Sequence, residues 1–392
     1  MREHAIGLRV DLRHALVRLG GWGAQQRLLD VLCEAEHLAE ALGAQDQLAQ
    51  ITGYIANHLQ WMGDYERALT AGQRALALAV ALGDVALQGL ANAELGPIYY
   101  YLGDYRRAQE VLRYSVATLP GERCQEGLGH LMLLSVHPHA WLLMCLAQVG
   151  AFAEGHPIGI DAVRIAEAGH SPYGLAMAYQ GAGVLSLRQG DLDHAIAVLE
   201  HGLDLCRSGN LENWFYGLAA ALGYAYALSG RLSEALPLLE QVVERDTAMR
   251  GGRPLSTRVV WQGEAYLLAG RVEGAKRLAL QALDLVRARK ERGHEAWTLR
   301  LLGEIAAQRE PLEAEQAETS YRQALALAEE LGMRPLVAHC HLGLGTLYAK
   351  LGRQEQAHMV LSAAIASYHV MDMTFWLPQA EAAMASLRGG PG

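Results

Sequence analysis

Two short runs in this 392-residue chain hold residue types that ligate metals, His339-Cys340-His341 and His137-Pro138-His139. On a helix, residues two apart point about 200° from each other, so His339 and His341 cannot reach one ion from one face. The spacing predicts instead that His341 packs and that His339 is exposed on the opposite, groove-lining side. His137 and His139 flank a proline and are not bound to that geometry, but no third ligand lies near them in the sequence. The five cysteines include no CxxC pair, and Cys33, Cys145 and Cys206 fall in apolar helical surroundings where thiols are inert. They read as reduced thiols of a cytoplasmic protein. Gly181-x-Gly183 lies mid-helix, and no GxxxxGK[ST] loop cradles a phosphate. A Ser-His-Asp device is a spatial arrangement, and nothing in the spacing favours one. These residues predict a chain that is not an enzyme and carries no metal and no cofactor.

The elements that position these side chains repeat. A small residue recurs at Ala68, Ala108, Gly155, Ala195, Ala235, Ala275, Ala317 and Ala357, in steps of 40, 47, 40, 40, 40, 42 and 40. Glycine precedes most copies by five residues, at Gly63, Gly103, Gly150, Gly190, Gly230, Gly270 and Gly352. A fixed period of this size signals stacked repeats, which offer a long binding surface rather than a cleft. Within residues 85–122, an apolar helical pattern ends at Gly103-Asp104 and a second begins at Tyr105. The glycine provides a left-handed helix stop and the aspartate an N-cap. The second helices are expected to end at Gly43, Gly83, Gly169, Gly209 and Gly332.

Inside each unit the slots resemble the tetratricopeptide repeat, W-x2-L-G-x2-Y followed by a small, a large and a second small residue. Leu95-Gly96 with Tyr99, Leu222-Gly223 with Tyr226, and Leu344-Gly345 with Tyr348 stand at the right offsets before Ala108, Ala235 and Ala357. Leu112, Leu199, Leu239, Tyr321 and Leu361 fill the large slot, and Ala35, Ala75, Ala162, Ala282, Ala324 and Ala364 the final small one. Small residues on facing helices let the axes approach to the short end of about 8–10 Å. The usual repeat is 34 residues, so a period of 40 with turns no longer implies helices of about 16–18 residues.

The expected fold is all-α: a right-handed solenoid of about nine such helix pairs plus a C-terminal capping helix, one domain over residues 1–388. The first pair is atypical, as an end cap should be. The fourth, residues 122–169, has a seven-residue excess, and His137-Pro138-His139 predicts a broken or offset first helix there. Residues 249–254 read as a loop, 374–387 as the cap helix with Phe375, Trp376 and Leu377 packed on the preceding unit, and 389–392 as a disordered tail.

A wider resemblance spans almost the whole chain. The run from Gly293 to Ala307 (GHEAWTLRLLGEIAA), Ala324 to Gly345, Met371 to Ala383, Ala219 to Gln241 and Leu8 to Leu16 are similar to the C-terminal repeat region of large bacterial cyclase–ATPase–repeat proteins. There an adenylate/guanylate cyclase-like domain and a signal-transducing ATPase precede the array. The resemblance implies a sensory or regulatory role in signal transduction. This sequence holds the array alone, so no activity of the other domains carries over.

Partners follow from charge and register. With 33 Lys+Arg against 42 Asp+Glu the net charge is −9, and the densest basic run, Arg287 to Arg292, lies at a helix end where it complements the dipole. Nucleic acid is therefore not an expected partner. No N-terminal apolar block reads as a signal peptide, and the most apolar stretch, 131–150, falls in register as a repeat helix, so no membrane association is expected. First helices should line the concave face, with inward positions at −6, −3, +1, +4 and +5 from the Leu-Gly glycine. That register selects Asn57, Gln60 and Trp61; Pro97, Tyr100 and Tyr101; Gln180 and Arg188; Tyr224; Glu264; Arg300 and Glu304; and His339 and Lys350. The expected function is a protein- or peptide-binding scaffold using this groove. A sensor closing on a small ligand such as a metabolite or sugar is the alternative.

Overall fold

The computed structural model describes residues 6–9, 12, 25–119, 131–249 and 255–387. Among the described residues every regular element is a helix. Gln45–Met62 and Tyr65–Leu82 form the second pair, Val85–Leu102 and Tyr105–Thr118 the third, and Leu131–Val149 and Phe152–Ala168 the fourth. Pro172–Gln189 with Leu192–Gly209, Glu212–Leu228 with Leu232–Met249, and Ser256–Leu268 with Val272–Arg289 follow as the fifth to seventh. Arg292–Gln308 with Ala314–Glu330 and Arg334–Lys350 with Gln354–Val370 are the eighth and ninth. Gln25–Leu42 is the second helix of the first pair, and Leu377–Ser386 is the cap. Most of the expected first helix, the loop around 250–254, the inserted stretch at 120–130 and the tail lie outside the described residues.

Helices of 17 or 18 residues, as at Gln45–Met62 and Arg334–Lys350, account for the 40-residue period. The turn between helices is as short as a left-handed residue allows. Gly63 stands at φ +81°, and the next residue, Asp64, caps the following helix by accepting from the Arg67 amide. Two predicted stops shift by one residue. Gly169 is right-handed (φ −83°) and Gly209 still helical, and the left-handed positions fall on His170 (φ +48°) and Asn210 (φ +51°). Asparagine tolerates that region, so a C-terminal stop need not be glycine.

The slot residues act as spacers within pairs. A Cβ at Gly96 would lie 2.3 Å from Leu112, and one at Gly183 2.5 Å from Leu199. In these pairs the leucine of the second helix thus fills the notch left by the glycine of its own first helix, and in the eighth pair Tyr321 fills the notch at Gly303. The recurring alanines, Ala68, Ala108, Ala195, Ala235, Ala275, Ala317 and Ala357, are all wholly buried.

The fourth pair departs from expectation. Leu131–Val149 runs as one helix with Pro138 inside it. Proline removes one backbone hydrogen bond, but Ser135, Val136, Pro138, His139 and Ala140 are all buried, and His139 Nδ1 meets the Ser135 carbonyl at 2.7 Å. Packing on several sides holds the helix through the lost bond. Its close neighbour is the fifth pair, where a Cβ at Gly181 would meet the Ala140 carbonyl oxygen at 3.0 Å.

First helices face inward, and the array curves until distant units meet. Arg292–Gln308 touches Val85–Leu102, and Arg334–Lys350 touches Leu131–Val149. The Arg334 guanidinium donates to the Val149 and Gly150 carbonyls at 2.8 and 2.7 Å. The cap extends this seam. Phe375 and Trp376 precede the cap helix and lie against Gly190, at the end of the fifth pair's first helix.

Candidate functional site

The inward faces of the first helices do not line an empty groove. They pack on one another across the inside of the curve, in two adjoining clusters.

The first cluster is the seam between the second to fourth and the seventh and eighth pairs. Its hub is Glu291, wholly buried just before Arg292–Gln308. Tyr65, from the start of the second pair's outer helix, donates to Glu291 at 3.1 Å. Ser256 donates to the same carboxylate, and His294 Nδ1 lies 2.9 Å from it. Burial alone would raise the Glu291 pKa. The bonds from His294 and Ser256 and the nearby Arg289 outweigh it and hold the carboxyl below its ordinary value. Aromatic rings fill the rest. Tyr65 stacks on Tyr101 (4.9 Å), and both Tyr100 and Tyr101 meet Trp141 edge-on at 5.4 and 5.7 Å. Gln148 bridges the seam, donating to the Tyr100 hydroxyl at 3.1 Å and accepting from Trp297 Nε1 at 2.9 Å. Backbone approaches so closely that a Cβ at Gly293 would lie 1.8 Å from the Tyr105 hydroxyl.

The second cluster surrounds two arginines. Arg300 pairs with Glu264 at 2.6 Å and with Glu304. Burial raises the Glu304 carboxyl to about 7 despite Arg300. Arg188, 6% exposed, stacks over Trp297 at 3.7 Å and has no carboxylate within ion-pair distance among the described residues. Tyr224 stacks on Trp261 at 5.7 Å. His339, 8% exposed, meets the Tyr368 hydroxyl through Nδ1 at 2.9 Å and Trp376 at 4.7 Å between rings. Burial, with Arg300 and Arg188 beside it, pushes its pKa well below the ordinary imidazole value, so it stays neutral. A cavity of about 150 Å³ lies beside this cluster, bounded by Arg300, Glu304, Tyr321, His339, Lys350 and Trp376. It opens past the exposed side chains of Gln308, Lys350 and Gln379.

The register thus selected residues that do converge inside the curve, but most are consumed by contacts within the chain. Gln60, Tyr100, Arg188, Tyr224, Glu264, Arg300 and His339 are buried; Asn57, Trp61, Tyr101, Gln180 and Glu304 are half-buried; Lys350 is exposed. Asn57 donates to Glu94 at 2.7 Å, Trp61 packs edge-on to Trp214 at 6.5 Å, and Gln180 lies under Gly217. Pro97 is buried. The expectation for the histidine pair is reversed: His339 is buried and His341 half-buried. The inner face, assumed open, is covered by the cap and by units packed across the seam. Among the described residues no group of three or more His, Cys, Asp or Glu side chains is placed to hold a metal.

Several key residues escaped the register. Trp297 sits six before Gly303, an inward position, and was legible in principle. Trp141 and Gln148 belong to the fourth pair, which has no Leu-Gly anchor to count from. Tyr65, Glu291 and Tyr368 lie on turns or outer helices, where a rule about first helices has no reach.

No protein-family model matches the sequence, and no curated protein matches it. Solved structures of the same fold do. A Rap protein complexed with competence and sporulation factor is 13% identical, with a TM-score of 0.59 over 84% of this chain and 99% of that one. The Rap conjugation gene regulator of plasmid pLS20, in complex with the Phr* peptide, is 16% identical, with a TM-score of 0.57 over 94% and 96%. The apo form of RapI is 12% identical, with a TM-score of 0.50 over 72% and 98%. At these identities the likeness concerns fold. With the slot spacing and the helix pairs, it gives this chain a tetratricopeptide-type repeat fold.

Proposed function

We propose that the chain is a non-catalytic recognition module that takes a short peptide or protein segment into the interior of its coil. In this reading it is the sensory or regulatory part of a bacterial signalling system. The observation that carries it is the roughly 150 Å³ cavity on the inner face, polar at Arg300, Glu304 and Lys350 and apolar at Tyr321 and Trp376. Recognition sites combine an aromatic anchor with a few placed charges in this way. The pLS20 regulator, which shares the fold, holds the Phr* peptide, and this supports a peptide as the occupant. The seam residues keep the coil shut, so admitting a longer segment requires the units on either side of Glu291 to part. Binding would thereby be coupled to curvature, which is how an array of stacked repeats can pass a signal to a neighbouring domain.

The size of the cavity favours one second reading. A space of about 150 Å³ matches a benzene-sized guest, so a small metabolite would fill it without opening the seam. Isothermal calorimetry and amide exchange separate the two. A peptide ligand should bind saturably and increase exchange across Arg292–Gln308 as the seam parts. A metabolite should bind and leave the seam protected. A diverse octapeptide library yielding no binder would end the peptide reading.

A further inference from the structure

The coil is shut by one contact made three times. Lys290, Gly332 and Asp372 are the left-handed residues that end the seventh, eighth and ninth pairs. The third residue beyond each, Gly293, Pro335 and Phe375, rests on the glycine that turns an earlier pair. A Cβ at Gly103 would lie 3.2 Å from the Gly293 amide nitrogen, one at Gly150 3.0 Å from Pro335, and one at Gly190 2.8 Å from Phe375. The partners advance by one pair at each step. The edge formed by turns between pairs therefore stacks on the edge formed by turns within pairs, one superhelical turn earlier. Glu291, Met333 and Met373, each next to its left-handed stop, are wholly buried there. Two residues before each covered glycine, Tyr101, Gln148 and Arg188 meet His294 or Trp297 from across the seam.

Both edges run on beyond the seam. Gly43 and Gly83 make the same left-handed stop between the first three pairs, and Gly230 and Gly270 the same turn within the sixth and seventh. Among the described residues, a Cβ at any of these four would meet nothing within 4 Å. Asp46 and Ala86, third beyond their stops, are exposed, as is Asp84. Residues 80–86 are exposed without a break, and Val80, Leu82 and Val85 make this edge apolar. On the other edge Leu268 stands two before Gly270, the position that Gln148 and Arg188 hold in the covered pairs, and it is 51% exposed. Large apolar side chains gathered on an edge that is covered elsewhere in the same chain mark a surface for association.

Charge sets which edge meets which. The covered turns include Gly103-Asp104 and Gly190-Asp191, and the edge laid on the covered side is basic at Lys290, Arg292 and Arg334, with Lys290 paired to Glu66. The bare turns read Gly230-Arg231 and Gly270-Arg271, and the bare edge between pairs carries Asp46 and Asp84. Arg271 forms no side-chain cap on Val272–Arg289 and sets a cation at the positive end of that helix, a choice local helix chemistry disfavours. Stacking over Tyr226 at 3.8 Å and over Tyr266 at 5.2 Å holds Arg231 and Arg271 on their turns. The signs on the two bare edges are thus reversed together, and the edges complement each other. They face opposite ways along the coil axis, so one chain cannot bring them together and two copies can.

We propose that the chain associates with a second copy of itself head to tail, the edge around Gly43 and Gly83 of one copy stacking on the edge around Gly230 and Gly270 of the other. The contact continues the coil. Asp46 and Ala86 take the places on Gly230 and Gly270 that Gly293, Pro335 and Phe375 take on the covered glycines. Asp46 and Asp84 approach Arg231 and Arg271, and Val85 and Leu268 lose their exposure to water. Two different patches meet, so every pairing leaves one edge of each kind bare and further copies add. This association is independent of what the coil takes inside.

Sedimentation velocity on the whole chain, from about 1 to about 200 µM, tests it. The weight-average mass should rise with concentration beyond that of a dimer and fall again in about 0.5 M salt, which screens exposed charges. Val85→Glu removes one edge and Leu268→Glu the other. Both side chains are more than half exposed, so both variants should melt with the parent, and each alone should weaken association at least about tenfold. Mixed in equal amounts, the two should form a one-to-one complex and nothing larger, because each supplies the edge the other lacks. Ile160→Glu, exposed in the middle of Phe152–Ala168 and away from both edges, should associate like the parent. A parent that stays monomeric across the range would overturn the proposal. So would a Leu268→Glu chain that associates as the parent does, since the contact would then be self-complementary through the Val85 edge, and so would a mixture no larger than its components.

Discussion

Replacing Glu291 by alanine should open the seam. In the native chain the carboxylate is wholly buried, receives hydrogen bonds from Tyr65 and Ser256, and pairs with His294. Arg289 lies 3.8 Å away. Removing it takes the shared acceptor from the Tyr65 and Ser256 hydroxyls and from His294 Nδ1, and a negative charge from beside Arg289. Truncating one partner of a buried charged network costs about 3–5 kcal/mol. Unfolding entropy of about 2.1 cal/mol/K per residue gives roughly 0.8 kcal/mol/K for this chain, so about 4 kcal/mol lowers the melting temperature by about 5 °C if it melts as one unit. The larger signal is local. The same energy raises the population of the parted seam by about three orders of magnitude. Amide exchange across Arg292–Gln308 and Val85–Leu102 should therefore accelerate, while Leu192–Gly209, remote from the seam, stays protected. Small-angle scattering should show a larger radius of gyration. Tyr65→Phe, which deletes one hydroxyl, should give the same pattern at about 1 kcal/mol. If Glu291→Ala melts within about a degree of the parent and exchange in Arg292–Gln308 is unchanged, Glu291 does not hold the coil shut and the account of the seam is wrong.

Three further expectations follow from close contacts and charge. Gly293→Ala places a methyl 1.8 Å from the Tyr105 hydroxyl, so it should weaken the seam by about 1–3 kcal/mol and accelerate exchange there; an unchanged exchange map would contradict the contact. Gly53→Ala meets only Ala75 at 4.0 Å and should stabilise by about 0.5–1 kcal/mol through helix propensity, whereas Gly181→Ala strikes the Ala140 backbone at 3.0 Å and should destabilise; urea titrations giving both the same sign would refute the packing. Glu304 has its folded pKa raised from 4.5 to about 7, so between those values the folded chain binds more protons and this group costs stability as pH rises. Glu304→Gln should therefore gain on the parent by about 1–2 kcal/mol between pH 5 and pH 7.5, discounted for partial exposure, and an advantage independent of pH in thermal melts would refute the shift.

Much of the fold could be read from the sequence because its determinants are local. The notch at Gly96 and the leucine that fills it, Leu112, are sixteen residues apart, as are Gly183 with Leu199, Gly223 with Leu239 and Gly345 with Leu361. Turn chemistry is more local still: Gly63 and Asp64 end one helix and start the next by themselves. Even the convergence of Arg188, Arg300 and His339 followed from counting along first helices.

What the sequence left undetermined is whether the coil is open or shut. The contacts that shut it join Tyr65 to Glu291 and Arg334 to Gly150, residues separated by 226 and 184 positions. No slot encodes such a meeting. Curvature is the sum of a small rotation at each of many interfaces, and a few degrees per unit decide whether the eighth pair reaches the third. Composition and period fix the unit and its neighbours. Only the accumulated tertiary geometry could turn His339 from a groove residue into a buried partner of Tyr368, and leave Arg188 as a buried charge facing a cavity.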